Sequence, residues 1–231
     1  MSNISYNLSM WGDSVLRGVV LDEKRGRYTT LKNRDMEISL ENMGIQVSNC
    51  SRFGYTAPRA KNLLLHTLED GYHCDAVMLE YGGNDCDFNW AEVAANPDAD
   101  HFPNTSLEEF ENCYTQMIEA LQKQNIQPIL LTLPPLDAVR YLNWITRNGL
   151  NRDSILKWLG DVYRIYRFHE RYSIAVSHLA KRYGCPLLDI RDAFLSHPDC
   201  SQLMCADGIH PNEKGHQVMD KAMLQFVGQI C

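Results

Sequence analysis

The sequence predicts an α/β fold: a three-layer α/β/α sandwich around a mostly parallel five-stranded sheet. Short apolar runs recur along the chain, segments of helical period lie between them, and glycine-containing polar signatures follow the ends of the runs. Strands that alternate with helices pair in parallel through right-handed crossovers, which places helices on both faces of the sheet. In such sheets ligand groups collect beyond the carboxyl ends of the strands.

Taken in order, 6–11 reads as a first strand, ended by Gly12-Asp13-Ser14 and turning into a helix. Residues 45–49 form a second strand, followed by a turn signal at Gly54. The most apolar run, 76–81, is a third strand, stopped by Gly82-Gly83-Asn84-Asp85. A fourth covers 129–133 before Pro134-Pro135, and a short fifth covers 186–190. Apolar residues at helical spacing predict helices over 57–68 and 107–123, and a last one over 213–227 that starts after Pro211. Two segments exceed this minimal alternation and read as insertions. The acidic 86–104 contains Trp90, Pro97 and Pro103 and reads as a long loop. In 137–172, Ile155, Trp158, Leu159, Val162 and Tyr166 make one apolar face, which reads as an amphipathic helix pair on the flank of the sheet.

The bulk numbers fit one packed domain spanning 1–231: 45% of residues are hydrophobic and 22% charged. Asp plus Glu number 29 against 22 Lys plus Arg, a formal charge of −7, whose field repels nucleic acid and anionic membrane. No run approaches the roughly 18 apolar residues of a membrane span. Residues 1–11 lack the basic and apolar segments of a secretory signal, and the eight cysteines contain no CxxC pair. Reduced thiols and a cytoplasmic setting are therefore expected.

Serine becomes a nucleophile only when a neighbouring base takes its proton and a further group fixes the tautomer of that base. Ser14 follows a strand end, where its hydroxyl is exposed; taken alone it fits a helix cap equally well. In Asp207-Gly208-Ile209-His210-Pro211 one turn of chain can bring the carboxylate onto Nδ1 of His210, leaving Nε2 to face a serine. In Gly82-Gly83-Asn84-Asp85 the glycines permit close backbone approach, and the Asn84 amide offers an uncharged donor.

Taken together, these pieces resemble the SGNH (GDSL-type) hydrolases, whose four sequence blocks have counterparts here in the right order. They are Gly12-Asp13-Ser14 (with Val15 in place of the frequent leucine), Gly54 within 49–56, Gly82-x-Asn84-Asp85 and Asp207-x-x-His210-Pro211. The resemblance implies a flavodoxin-like fold and hydrolysis of carboxylic esters through an acyl-enzyme on Ser14. His210 would be the base and Asp207 its orienting acid, with an oxyanion hole from the N–H groups of Ser14 and Gly54 and the side chain of Asn84. Asp13 and Asp85 would hold their loops by hydrogen bonds to backbone. No serine lies in G-x-S-x-G, which argues against the α/β-hydrolase arrangement.

The expected substrate is a small-molecule ester, a short-chain acyl ester or an O-acetylated carbohydrate. The same site would serve a lysophospholipase, thioesterase or acyltransferase, and a non-catalytic binding member of the fold is the remaining alternative. Val15, Tyr55, Pro134, Tyr141, Trp144 and Ile209 are the candidate pocket residues. Residues 137–172 either roof that pocket near Tyr141 and Trp144 or form a contact in a homo-oligomer. No cofactor or metal is expected, because the spacing of His197, Cys200, Cys205 and His210 matches no usual zinc pattern. Cys86 lacks a matched base and reads as a buried thiol.

Overall fold

The computed structural model describes residues 6–32 and 34–230. In chain order the strands are β1 (Tyr6–Gly12), β2 (Val19–Asp22), β3 (Arg27–Thr30), β4 (Ile45–Asn49), β5 (Ala76–Glu80), β6 (Gln127–Leu131) and β7 (Leu187–Leu188). The helices are α1 (Asp35–Asn42), α2 (Ala57–Glu69), α3 (Trp90–Ala95), α4 (Leu107–Lys123), α5 (Ala138–Thr146), α6 (Arg152–Leu159), α7 (Arg164–Tyr183), α8 (Ile190–Leu195) and α9 (Glu213–Ile230).

Five strands pair in parallel in the order β4-β1-β5-β6-β7. Alternate side chains of a strand point to opposite faces, so each strand feeds two cores. Trp11, Val77, Leu79 and Leu130 pack with Leu64 of α2, Phe110 and Met117 of α4 and Val176 of α7. Leu8, Met10, Met78, Ile129 and Leu131 pack on the other face with Met36 and Leu40 of α1, Phe194 of α8 and Met219 and Met223 of α9. These are the three layers expected. The fourth strand begins two residues earlier than the apolar run suggests, because Gln127 already pairs with Ala76.

The chain after Ser14 departs from expectation. It forms no helix: Arg17 N–H bonds Asp13 O at 3.1 Å and Val19 N–H bonds Ser14 O at 2.9 Å, closing a short turn. Val19 then enters the antiparallel β2–β3 hairpin. The 86–104 segment contains helix α3, capped by the Asn89 side chain, which accepts the Glu92 N–H at 3.3 Å.

Most of the 137–172 segment packs away from the flank of the sheet, and only its end, at Tyr172 of α7, joins the core on the sheet face. Helices α5 and α6 and the start of α7 join α3 in a third core, in which Leu142, Ile155 and Val93 are fully buried. Helix α5 starts at Asp137, whose Oδ1 accepts the N–H groups of Val139 at 3.1 Å and Arg140 at 3.0 Å.

Among the described residues, seven cysteines are free thiols; Cys231 lies outside them. No described helix is long and apolar enough to cross a membrane.

Candidate active site

The sheet order itself assembles the site. β1 lies between β4 and β5, so the loops carrying Gly54, Ser14 and Asn84 leave three neighbouring strand ends. Chain direction away from β1 reverses at this point, where parallel α/β sheets open a crevice. The loop that precedes α9 brings Asp207 and His210 to the same edge.

There, His210 Nε2 lies 2.9 Å from Ser14 Oγ and His210 Nδ1 lies 2.7 Å from Asp207 Oδ2. The local chain enforces this geometry. Asp207 Oδ1 accepts the N–H groups of Ile209 and His210, each at 3.1 Å, which folds the carboxylate back under the ring. Gly208 turns the chain at φ +77°, where a Cβ would strike Asp137 O and Tyr141 N, so glycine is required twice over. Burial alone would push the Asp207 carboxyl up, but the His210 side chain and the two backbone N–H groups hold it below the ordinary range. The carboxylate therefore stays charged, keeps the His210 proton on Nδ1 and leaves Nε2 as the acceptor facing Ser14.

One partner of this relay was not visible in the sequence. Tyr28, on the hairpin, donates its hydroxyl to Asp207 Oδ2 at 3.0 Å, and its ring packs on His210 at 4.9 Å between centroids. Burial, and then the Asp207 charge, push the Tyr28 phenol well up, so it remains a donor. Phe53 lies nearly parallel to the His210 ring at 6.1 Å and stands 54% exposed.

The donors around Ser14 are arranged as follows. Gly54 takes a left-handed φ of +70°, which side-chain-bearing residues rarely adopt. Asn84 Nδ2 donates to Asp13 Oδ2 at 2.9 Å and to Tyr55 O at 3.1 Å. Asp13 Oδ1 accepts the Val15 N–H at 2.8 Å, and Asp85 Oδ1 accepts the Ala57 N–H at 2.9 Å, so both carboxylates tie down loops. Burial pushes Asp13 up to about 6 and Asp85 up to about 7. Glu80, fully buried at the end of β5 beside Asp13, is raised further by burial and then by the Asp13 charge.

A cavity of about 160 Å³ opens from Ser14 and His210. Val15, Pro134, Tyr141 and Ile209 of the candidate pocket residues line it; Tyr55 and Trp144 do not. Tyr55 packs against the core that α2 covers, with Arg52 over its ring. Trp144 sits behind Tyr28 at 6.4 Å, with the Arg147 guanidinium 3.6 Å above its ring. Phe88, Trp90, Ile165 and Phe168, from the third core, close the cavity instead, together with His169. Cys86 also lines it, donating its thiol to Gly83 O at 3.3 Å; burial pushes that thiol up, away from the reactive thiolate.

A charged acid, a neutral imidazole and a buried hydroxyl in series can transfer the hydroxyl proton to the imidazole while the oxygen attacks an electrophile held in the cavity.

A family model described as GDSL-like Lipase/Acylhydrolase matches residues 10–218. No curated protein sequence matches the chain. Among solved structures, a lipase/acylhydrolase from Enterococcus faecalis superposes with a TM-score of 0.64 at 18% identity, covering 96% of this chain and 95% of that one. An α/β hydrolase enzyme from the metagenome of Lake Arreo, Spain, gives 0.63 at 21% identity, covering 99% and 98%. A catalytic mutant of an acetylxylan esterase from Geobacillus stearothermophilus gives 0.63 at 17% identity, covering 96% and 94%.

Proposed function

The chain belongs to the GDSL-like lipase/acylhydrolase family, whose members act on ester bonds, and on that premise we propose that Ser14, His210 and Asp207 hydrolyse small carboxylic esters. The observation that carries the reading is the continuous run of contacts from Asp207 Oδ2 through both nitrogens of His210 to Ser14 Oγ, at 2.7 and 2.9 Å.

In this mechanism Ser14 Oγ attacks the ester carbonyl carbon as its proton passes to His210 Nε2. The oxyanion is met by the N–H groups of Ser14 and Gly54 and by Asn84 Nδ2, which exchanges its longer bond to Tyr55 O for the substrate and keeps Asp13. Collapse expels the alcohol, which takes the proton from His210. Water then attacks the acyl-enzyme with His210 again as base, and the carboxylic acid leaves.

Cavity size supports a small acyl group, since a void of about 150 Å³ accommodates benzene. Carboxyl groups in its wall, at Asp13 and Asp87, disfavour anionic acyl groups. Short-chain acyl esters and O-acetylated carbohydrates are the substrates that fit, and the acetylxylan esterase of similar fold agrees with that size class.

Turnover of 4-nitrophenyl esters from acetate to decanoate, beside acetylated sugars, tests the reading. The rate should peak at the short esters and fall by about 10⁴-fold or more in Ser14→Ala. Hydrolysis undiminished in that variant would overturn it.

A further inference from the structure

The cavity wall holds a histidine that the hydrolytic relay does not use. His169, on α7 and 7% exposed, lines the same cavity as Ser14 and His210. Its Nδ1 lies 2.9 Å from Arg191 Nη2. A guanidinium only donates, so Nδ1 is the acceptor and the ring proton resides on Nε2. Burial, and then the Arg191 charge, hold this imidazole down to about 3, so it is neutral at working pH. Nε2 has no hydrogen-bond partner among the described residues, and it is not one of the unpartnered polar atoms sealed from solvent. Its N–H therefore opens to the cavity.

The ring is held in place from behind. Arg191 pairs with Glu170 at 2.7 Å and donates to Tyr166 Oη and Ser173 Oγ, each at 3.1 Å. These contacts hold the Arg191 guanidinium against Nδ1 and leave the His169 Nε2–H as a fixed, uncharged donor at the cavity wall. An N–H donor fixed at the cavity wall with no protein acceptor favours an occupant that supplies one.

We infer that the part of the ester seated in the cavity carries an uncharged oxygen acceptor (an ether, carbonyl or hydroxyl oxygen) that takes the Nε2–H of His169. The inference rests on the esterase reading and narrows its substrate class. A carboxylate or phosphate does not fit the description, because Asp87 and Asp13 line the same cavity and Glu170 already neutralises Arg191.

Isosteric ester pairs test it on both sides of the bond. On the acyl side, 4-nitrophenyl methoxyacetate is compared with 4-nitrophenyl butanoate; on the alcohol side, 2-methoxyethyl butanoate is compared with butyl butanoate. Each kcat/KM ratio is corrected for the alkaline hydrolysis of the same esters. The oxygenated ester should be favoured by roughly three- to tenfold in one arm, the value of one neutral hydrogen bond. His169→Phe should abolish that preference, and His169→Gln, which keeps an N–H donor, should restore part of it.

Should His169→Phe fail to fold, the corrected wild-type ratios decide alone. Ratios near one in both arms overturn the inference and assign the donor to water. Absence of turnover on every ester overturns the esterase reading as well, whereas turnover without preference overturns this inference only.

Discussion

A serine two residues past a strand end is ordinary; Nε2 of His210 at 2.9 Å is what distinguishes Ser14. Asp207 matters through the tautomer it imposes, and Asp207→Asn should lower kcat on the order of 10⁴-fold with little change in KM, as a misplaced imidazole proton does elsewhere. Tyr28 shares oxygen Oδ2 with His210. Tyr28→Phe keeps the ring on His210 and loses one donor to Asp207, so kcat should fall by less than about tenfold. Tyr28→Ala loses the packing too and should fall further; equal losses in the two variants would assign the effect to the hydroxyl alone. Ser14, Asn84, Asp207 and His210 were legible because each lies in a short motif with its own local turn. Tyr28 and His169 were not: their partners lie 179 and 22 residues away, and nothing in their neighbourhoods marks them.

At the scale of elements, the central strands and α4 were legible from apolar runs and helical spacing. The β2–β3 hairpin was not. Its strands have four residues each, and in Arg27–Thr30 no residue is fully buried, so no alternation shows. The expected helix after Ser14 gave way to this hairpin, because the turn closes on Val19 and the Val19-Val20-Leu21 run suits a strand. In 137–172 the apolar face was legible but its partner was not: it packs on α3, from the 86–104 segment, within the core that roofs the cavity. Phe168 belongs to that roof, touching Phe88 at 4.8 Å and stacking on Trp158 at 6.0 Å. Phe168→Ala should move the acyl-length optimum upward by lowering KM for longer esters. An unchanged length profile would detach these helices from specificity.

Across the whole molecule, the parallel order that closes the sheet also buries carboxyl groups beneath its reacting edge. Folding raises Asp13 to about 6 and Asp85 to about 7 from ordinary carboxylate values. The folded form therefore holds protons that the unfolded chain has released. That stability is complete below the ordinary carboxylate range and is lost as pH rises through about 6 and about 7. His169, near 3, and His216, near 4, act oppositely: their contribution is present above the usual histidine value and is lost as pH falls toward theirs. Asp85→Asn removes one charge while its Oδ1 can still accept the Ala57 N–H. Its stability relative to wild type should rise with pH between about 4 and 7, by at most about 1.4 kcal/mol per pH unit. Chemical denaturation at several pH values measures this, and a constant difference would mean that Asp85 titrates normally.

The central claim is that Ser14 is the nucleophile. Reaction with a fluorophosphonate, followed by intact-mass and peptide mass spectrometry, tests it most directly. The account predicts one adduct per chain on the peptide carrying Ser14, absent in Ser14→Ala, slowed in His210→Ala, and accompanied by complete loss of ester hydrolysis. An adduct on another residue, or full hydrolysis by protein labelled at Ser14, would contradict it.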